Sequence, residues 1–181
     1  TGNPVRSSMY SGSKDEALRI TGLSAEKATI LVLGGSQGAL SINLALEEML
    51  PLLVSSVQII HLTGEGKHIA FSHPSYYASP FSSDALPHFY ALADIIVSRA
   101  GAGSISEVAT LSKPLILIPL EGIADDHQVH NAEVLHDAGA ALLLPQKRIA
   151  ELPTILQGLL QDLSQQRTLG NTLHADRKSV V

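Results

Sequence analysis

The chain has 181 residues, of which 45% are hydrophobic and 16% charged, a composition typical of a folded globular domain. It contains no cysteine, which excludes disulfides, thiol catalysis and thiolate metal sites. The net charge of -5, without a broad cluster of Lys and Arg, argues against a nucleic-acid partner. Since no apolar run approaches the roughly 20 residues of a bilayer span, we expect a soluble, cytoplasmic domain.

Short apolar runs rich in Ile, Val and Leu recur along the chain and predict buried strands. They lie at residues 28–33, 57–62, 94–97, 114–118 and 141–144, with a weaker candidate at 76–78. Stretches with the spacing of amphipathic helices follow several of these runs, and another helix is expected after residue 153. This alternation predicts an α/β fold with a doubly wound, Rossmann-like parallel sheet. In such sheets, binding sites lie beyond the carboxyl ends of the strands.

The first polar turn of this kind, Gly34-Gly35-Ser36-Gln37-Gly38, permits two interpretations. It fits the G-x-S-x-G pattern of a nucleophilic serine, and Asp and His residues follow Ser36 in the order of a hydrolase triad. However, the run before it is the first convincing strand, so the earlier strand that would supply part of an oxyanion hole is missing. A phosphate site needs only the small residues, the Ser36 hydroxyl and a helix that begins near Gln37. The second interpretation is therefore favoured.

A second turn of small residues occupies positions 98–104, and Glu107 is expected about one turn into the helix that follows. A carboxylate at this position can accept hydrogen bonds from both hydroxyls of a ribose. The structural alternative is a first-turn Glu that interacts favourably with the helix dipole. The local sequence favours the alternative.

A third turn spans residues 119–132, where Asp125 or Asp126 is expected to cap a helix and to direct His127 and Gln128 into the same crevice. A metal site formed by Asp126, His127 and His130 is a minor alternative. It lacks the pair of histidines four residues apart that a helical zinc site presents.

Taken together, the segments GGSQGA, SRAGAGSISE and DHQ-x-x-NA resemble the donor-nucleotide half of the MurG-type glycosyltransferases, and the opening TGNPVR strengthens the match. The resemblance implies the C-terminal lobe of a GT-B fold. It also implies a part in an inverting, UDP-GlcNAc-dependent hexosyltransferase that makes lipid II from lipid I for peptidoglycan. Residues 1–13 would then be an interdomain junction, 14–165 the UDP-sugar-binding domain and 166–181 a C-terminal tail.

The same resemblance implies the residues of the donor site and their roles. The diphosphate would contact Ser36, Gln37 and the backbone amides of residues 35–38. Arg6 would reach the same charge from the junction. Glu107 would hold the ribose, and uracil would lie just beyond Phe81. The complete set is Arg6, Gly35, Ser36, Gln37, Gly38, Ala102, Gly103, Ser104, Glu107, His127 and Gln128. Ala102, Gly103 and Ser104 would line the sugar and diphosphate, His127 and Gln128 would bond the GlcNAc hydroxyls, and no metal or cofactor is expected.

The acceptor lobe and the general base of this family are not found in this sequence. We therefore expect the chain to bind UDP-GlcNAc but to transfer nothing by itself, since positioning and proton removal both depend on the other lobe. The lipid-linked acceptor, and peripheral association with the cytoplasmic face of the plasma membrane, would belong to the full-length enzyme. An alternative is the non-catalytic, donor-binding subunit of a split GlcNAc transferase.

Overall fold

The structure, a computed structural model, describes residues 7–34, 39–121 and 127–176. The strands are β1 (Thr29–Leu33), β2 (Gln58–Leu62), β3 (Tyr76–Ser79), β4 (Ile95–Ser98), β5 (Leu115–Leu117) and β6 (Leu142–Leu143). The α-helices are α1 (Lys14–Thr21), α2 (Leu40–Leu53), α3 (Leu86–Leu92), α4 (Ala102–Ala109), α5 (His127–Asp137), α6 (Leu152–Gln161) and α7 (Leu163–Ala175). Within the described ranges, 3-10 helices occupy Ser7–Ser11 and Gln146–Glu151.

The strand order of the six-stranded sheet is β3-β2-β1-β4-β5-β6. The pairings of β1 with β2, β2 with β3, β4 with β5 and β5 with β6 are all parallel. A strand order that reverses direction in this way is that of a doubly wound α/β fold. All six predicted strands are present, and the predicted fold class is confirmed.

The chain divides into two compact units, and Ser7–Asp94 form the first of them. Every residue of β1 and β2 in this unit is buried, as expected for strands of a parallel sheet covered on both faces. At the start of β2, the buried Gln58 side chain donates hydrogen bonds to the carbonyl of Ser24 at 2.6 Å and to Thr29 Oγ1 at 2.8 Å. These two bonds hold the segment that leads into β1 against the start of β2.

Two helices of the first unit, α1 and α3, pack on each other and are absent from the sequence prediction. Helix α1 has clear end signals, because Ser13 Oγ accepts a bond from the amide of Glu16 and Gly22 closes the helix with a φ of 71°. Helix α3 has only seven residues and is apolar along most of its length, with Phe89 and Tyr90 buried. A segment so short shows no periodicity from which a helix could be distinguished.

Helix α2 begins at Leu40 rather than near Gln37, which corrects the predicted start. Its N-cap residue is Ala39, whose side chain has no atom that could accept a hydrogen bond from the amides of the first turn. The four preceding residues, 35–38, lie outside the part of the chain that the structure describes.

The second unit comprises β4 to β6 and helices α4 to α7. Strands β4 and β5 are fully buried, and α4 and α7 are in contact. Gly170 of α7 packs directly on the backbone of Ser112, since a Cβ at this position would lie 2.2 Å from the Ser112 carbonyl oxygen. Helix α7 runs through residue 166, where the resemblance places the start of a tail, and that domain boundary stays a prediction.

No helix among the described residues is both long enough and apolar enough to cross a membrane.

Candidate functional site

Six residues of the predicted donor site lie in the described part of the chain, all in the second unit. They are Ala102, Gly103, Ser104, Glu107, His127 and Gln128. The other five lie outside the described residues, as do the two candidate helix caps and the serine of the hydrolase interpretation. These residues are Arg6, Gly35, Ser36, Gln37, Gly38, Asp125 and Asp126. Their predicted roles therefore stay predictions.

The turn after β4 presents small residues at the start of α4. Gly101 is the N-cap residue and has no side chain that could cap the first amides of the helix. A Cβ added to Gly101 or Gly103 would meet no other atom of the described residues within 4 Å. Close packing against this part of the protein therefore does not require these two glycines. A site at which a ligand approaches the backbone would require them.

Glu107 lies in the second turn of α4 and is partly buried. The first turn of this helix contains no acidic residue, so the alternative of a first-turn Glu placed for the helix dipole is wrong. The backbone carbonyl of Glu107 accepts a hydrogen bond from Thr110 Oγ1 at 2.7 Å. This bond belongs to the helix end and does not involve the carboxylate, whose predicted contact with a ribose stays a prediction.

Arg99 joins the chain segments that follow β4 and β5. Its guanidinium is buried, and Nη1 donates hydrogen bonds to the carbonyls of Ile118 and Pro119, each at 3.0 Å. Burial lowers the pKa of Arg99, while the charge of Glu121 acts in the opposite direction. An arginine remains protonated under such conditions, so a fixed positive charge lies next to the carbonyls of Ile118 and Pro119.

Helix α5 is tied to both of these segments by amide side chains from its first turns. Asn131 Nδ2 donates to the carbonyl of Ala100 at 3.1 Å, and Gln128 Oε1 accepts from the amide of Leu120 at 3.2 Å. The oxygen of Gln128 therefore serves the protein, and its Nε2 is the donor end of the side chain. His127, the first residue of α5, is exposed.

The structure thus brings three elements of the second unit together: the turn before α4, the segment after β5 and the start of α5. Among the described residues, no group of three His, Cys, Asp or Glu side chains could hold a metal ion. Asp126, one member of the alternative metal site, lies outside those residues.

Sequence reasoning missed Arg99 and Asn131 as the residues that hold these segments together. An arginine beside Ala100 and Gly101, in a turn of otherwise small residues, was the available signal for the first. For Asn131, the signal was its position three residues after Gln128, which places both amides on one face of a helix.

The profile of the family described as "Glycosyltransferase family 28 C-terminal domain" matches residues 29–179 of this chain. This range contains every described residue of the candidate site.

Among curated relatives, the chain is 38% identical over 162 residues to a protein of Lachnoclostridium phytofermentans and 42% identical over 154 residues to one of Bacteroides fragilis. Both are named "UDP-N-acetylglucosamine--N-acetylmuramyl-(pentapeptide) pyrophosphoryl-undecaprenol N-acetylglucosamine transferase". The matches cover 88% and 78% of this chain, but 45% and 40% of the relatives. The chain thus spans about half the length of the curated relatives it matches.

Solved structures agree with this relationship. The crystal structure of Acinetobacter baumannii MurG matches with a TM-score of 0.71 and 26% identity, covering 97% of this chain and 52% of that one. CalG4, the calicheamicin glycosyltransferase, matches with a TM-score of 0.68 at 16% identity, over 87% of this chain and 40% of that one, and supports the fold alone. The predicted resemblance is confirmed: the chain belongs to glycosyltransferase family 28 and contains the C-terminal domain of that family.

Proposed function

We propose that this chain is the donor-binding part of an inverting glycosyltransferase and that its ligand is UDP-GlcNAc. The acceptor is a lipid-linked muramoyl-pentapeptide, as the names of the curated relatives state for those proteins. The product is lipid II, the precursor of peptidoglycan. The relatives are about twice as long as the match, so catalysis is assigned to a protein that also has the acceptor lobe.

The observation that carries this proposal is the arrangement of the turn before α4 and the start of α5. Asn131 joins them directly at 3.1 Å, and Arg99 and Gln128 each bond to the segment after β5, at 3.0 and 3.2 Å. Glu107 and Gln128 are thereby held by the same part of the second unit. We assign Glu107 to the ribose hydroxyls and the Nε2 group of Gln128 to a GlcNAc hydroxyl.

The diphosphate is assigned to the glycine-rich turn of residues 34–38, on the basis of the sequence. Small residues before a helix let an anion approach the backbone without help from a metal ion. We therefore propose that UDP-GlcNAc binds without Mg²⁺.

An undecaprenol-linked acceptor places the reaction at a membrane surface, because the long hydrocarbon chain stays in the bilayer. We propose that the full-length enzyme works at the cytoplasmic face of the plasma membrane. The membrane contact and the proton acceptor are assigned to the other lobe.

The sugar assignment can be tested with two substitutions of Gln128. Gln128→Glu keeps an oxygen that can accept from the amide of Leu120 but removes the Nε2 donor, whereas Gln128→Ala removes both. We expect both variants to lose about 3- to 10-fold in affinity for UDP-GlcNAc relative to UDP, the size of one neutral hydrogen bond. The negative charge added by Gln128→Glu affects both ligands, so its effect cancels in the ratio of the affinities for UDP-GlcNAc and UDP. Calorimetric titrations of each variant with both ligands measure this ratio.

A different pattern would contradict the sugar role. If Gln128 only holds the turn, Gln128→Ala will weaken UDP and UDP-GlcNAc alike, and Gln128→Glu will leave their affinity ratio at the wild-type value.

A further inference from the structure

The side chain of Arg99 connects the end of β4 to the segment after β5. A bond from the amide of Ile118 to the carbonyl of Ser98, at 2.9 Å, extends the pairing of these strands one residue beyond β5. Directly after it, Arg99 Nη1 donates to two successive carbonyls, those of Ile118 and Pro119, each at 3.0 Å. Arg99 is only 8% exposed. A buried cation therefore determines the direction of both carbonyls.

A single peptide group lies between Arg99 and the side chain of Gln128. The carbonyl of Pro119 accepts from Arg99. The amide of Leu120, on the other side of the same peptide group, donates to Gln128 Oε1 at 3.2 Å. A trans peptide group is planar, and its carbonyl and amide point in opposite directions. By holding the carbonyl, Arg99 also fixes the direction of the amide that binds Gln128.

The charge of Arg99 strengthens the same amide as a hydrogen-bond donor. Hydrogen bonds in a chain polarise one another, and a bond from a cation is stronger than one from a neutral group. The bond from Arg99 to the carbonyl of Pro119 therefore increases the positive charge on the amide hydrogen of Leu120. Both effects hold Oε1 of Gln128 toward Leu120, so the orientation of the Gln128 side-chain amide is set by Arg99.

We propose that Arg99 is a positioning residue for sugar selectivity, acting on Gln128 through the peptide group between Pro119 and Leu120. The inference rests on the proposed function, because it takes Nε2 of Gln128 to donate to a GlcNAc hydroxyl. Arg99 is assigned no contact with the ligand. When its bonds to the two carbonyls are removed, the Gln128 amide is no longer held in one orientation, and the preference for UDP-GlcNAc over UDP falls.

The test is a double-mutant cycle, in which calorimetric titrations measure the ratio of the affinities for UDP-GlcNAc and UDP. We expect Arg99→Met to lower this ratio by about 3- to 10-fold, as Gln128→Ala does. Because Arg99 acts through Gln128, the double variant should show the ratio of Gln128→Ala with no further loss. A general loss of folded protein lowers the binding of both ligands and leaves the ratio unchanged.

Arg148 provides the control for the loss of a positive charge. It is exposed in the same unit and forms an ion pair with Glu151. Arg148→Met removes the same charge as Arg99→Met and should keep the wild-type ratio of affinities.

Three outcomes would overturn the inference, and they are distinguishable. A wild-type ratio in Gln128→Ala contradicts the proposed sugar contact, and the positioning role with it. A lowered ratio in Gln128→Ala with a wild-type ratio in Arg99→Met contradicts the positioning role alone. So does a double variant in which the two losses multiply, because Arg99 would then act on the sugar independently of Gln128.

Should Arg99→Met fail to fold, Arg99→Lys keeps the buried charge and tests the same link. The shorter lysine side chain carries an ammonium group in place of the planar guanidinium, so we expect its bonds to the two carbonyls to be longer or lost. The expected result is a loss of about 3-fold in the affinity ratio. In amide NMR spectra, the proton of Leu120 should move upfield as its bond to Gln128 weakens. A wild-type ratio in this variant would overturn the inference, and so would an unshifted Leu120 amide.

Discussion

Replacing Glu107 with Ala is expected to weaken UDP binding by about 10- to 100-fold and to leave the binding of inorganic pyrophosphate unchanged. Hydrogen bonds to a charged carboxylate contribute about 1.5–3 kcal/mol, and only UDP has ribose hydroxyls that can lose them. The partly buried position of Glu107 in the second turn of α4 favours this role over an interaction with the helix dipole. Parallel calorimetric titrations with the two ligands provide the measurement.

A change in net charge alone could alter the binding of any anion, so the experiment needs a second carboxylate as a control. Glu133 lies on an exposed position of α5, and Glu133→Ala changes the charge of the chain by the same amount. We expect it to bind both ligands as wild type does. Equal losses of UDP and pyrophosphate in Glu107→Ala would show that Glu107 is only a structural residue of α4.

Acidification is expected to destabilise the chain through His61. Its pKa is about 4 in the folded protein and near the ordinary value of 6.5 in the unfolded chain, so the unfolded state binds the extra proton between these values. The contribution of His61 is therefore fully present above pH 6.5 and is lost as the pH falls toward 4. The slope is about 1.4 kcal/mol per pH unit, and the total is about 3 kcal/mol.

Urea denaturation at about pH 7 and about pH 5 measures this effect, with His61→Gln as the comparison. The free energy of unfolding of the wild type should fall by about 2 kcal/mol more than that of the variant over this interval, since glutamine does not titrate. The hydroxyl of Tyr76 lies 3.0 Å from His61 Nδ1. Burial and the charge of Glu47 raise the pKa of Tyr76, so this hydroxyl stays protonated in this range. Identical losses in the two proteins would show that His61 titrates normally.

The sheet could be predicted from the sequence because its strands are short, continuous apolar runs separated by glycine-containing turns. All six predicted strands are present, with ends that differ by at most one residue. Helices α4 and α5 were predicted where apolar residues recur at helical spacing. Helix α3 was not, because its seven residues are mostly apolar and its stability comes from packing against the unit to which it belongs.

The start of α2 shows a second limit of sequence reasoning. Gly38 and Gln37 suggested an early helix start, but the helix begins at Leu40 after an uncapped Ala39. Asn43, near this start, forms a hydrogen bond with His61, which is 18 residues further along the chain. A contact between residues so far apart in sequence leaves no local pattern, so it could not be derived from the turn itself.

In the described half of the candidate site, the chemistry of the residues could be predicted from the sequence, but their hydrogen-bond partners could not. The chemistry of Glu107 and Gln128 could be inferred from residue type and from the resemblance, whereas the structural use of the Gln128 oxygen by Leu120 could not. The buried Arg99 gave only a weak signal in sequence. Its two bonds depend on where β5 ends relative to β4, which is fixed by the register of the sheet.

The most direct test of the proposed donor site is an amide NMR titration of the chain with UDP-GlcNAc, performed in EDTA. We predict saturable shifts in the amides of Ala102 to Glu107 and at His127 and Gln128. UDP alone should reproduce the shifts in α4 but not those at the start of α5. The absence of saturable shifts in EDTA, or shifts confined to residues outside the proposed site, such as the amino end of β2 at Gln58, would contradict the proposed site.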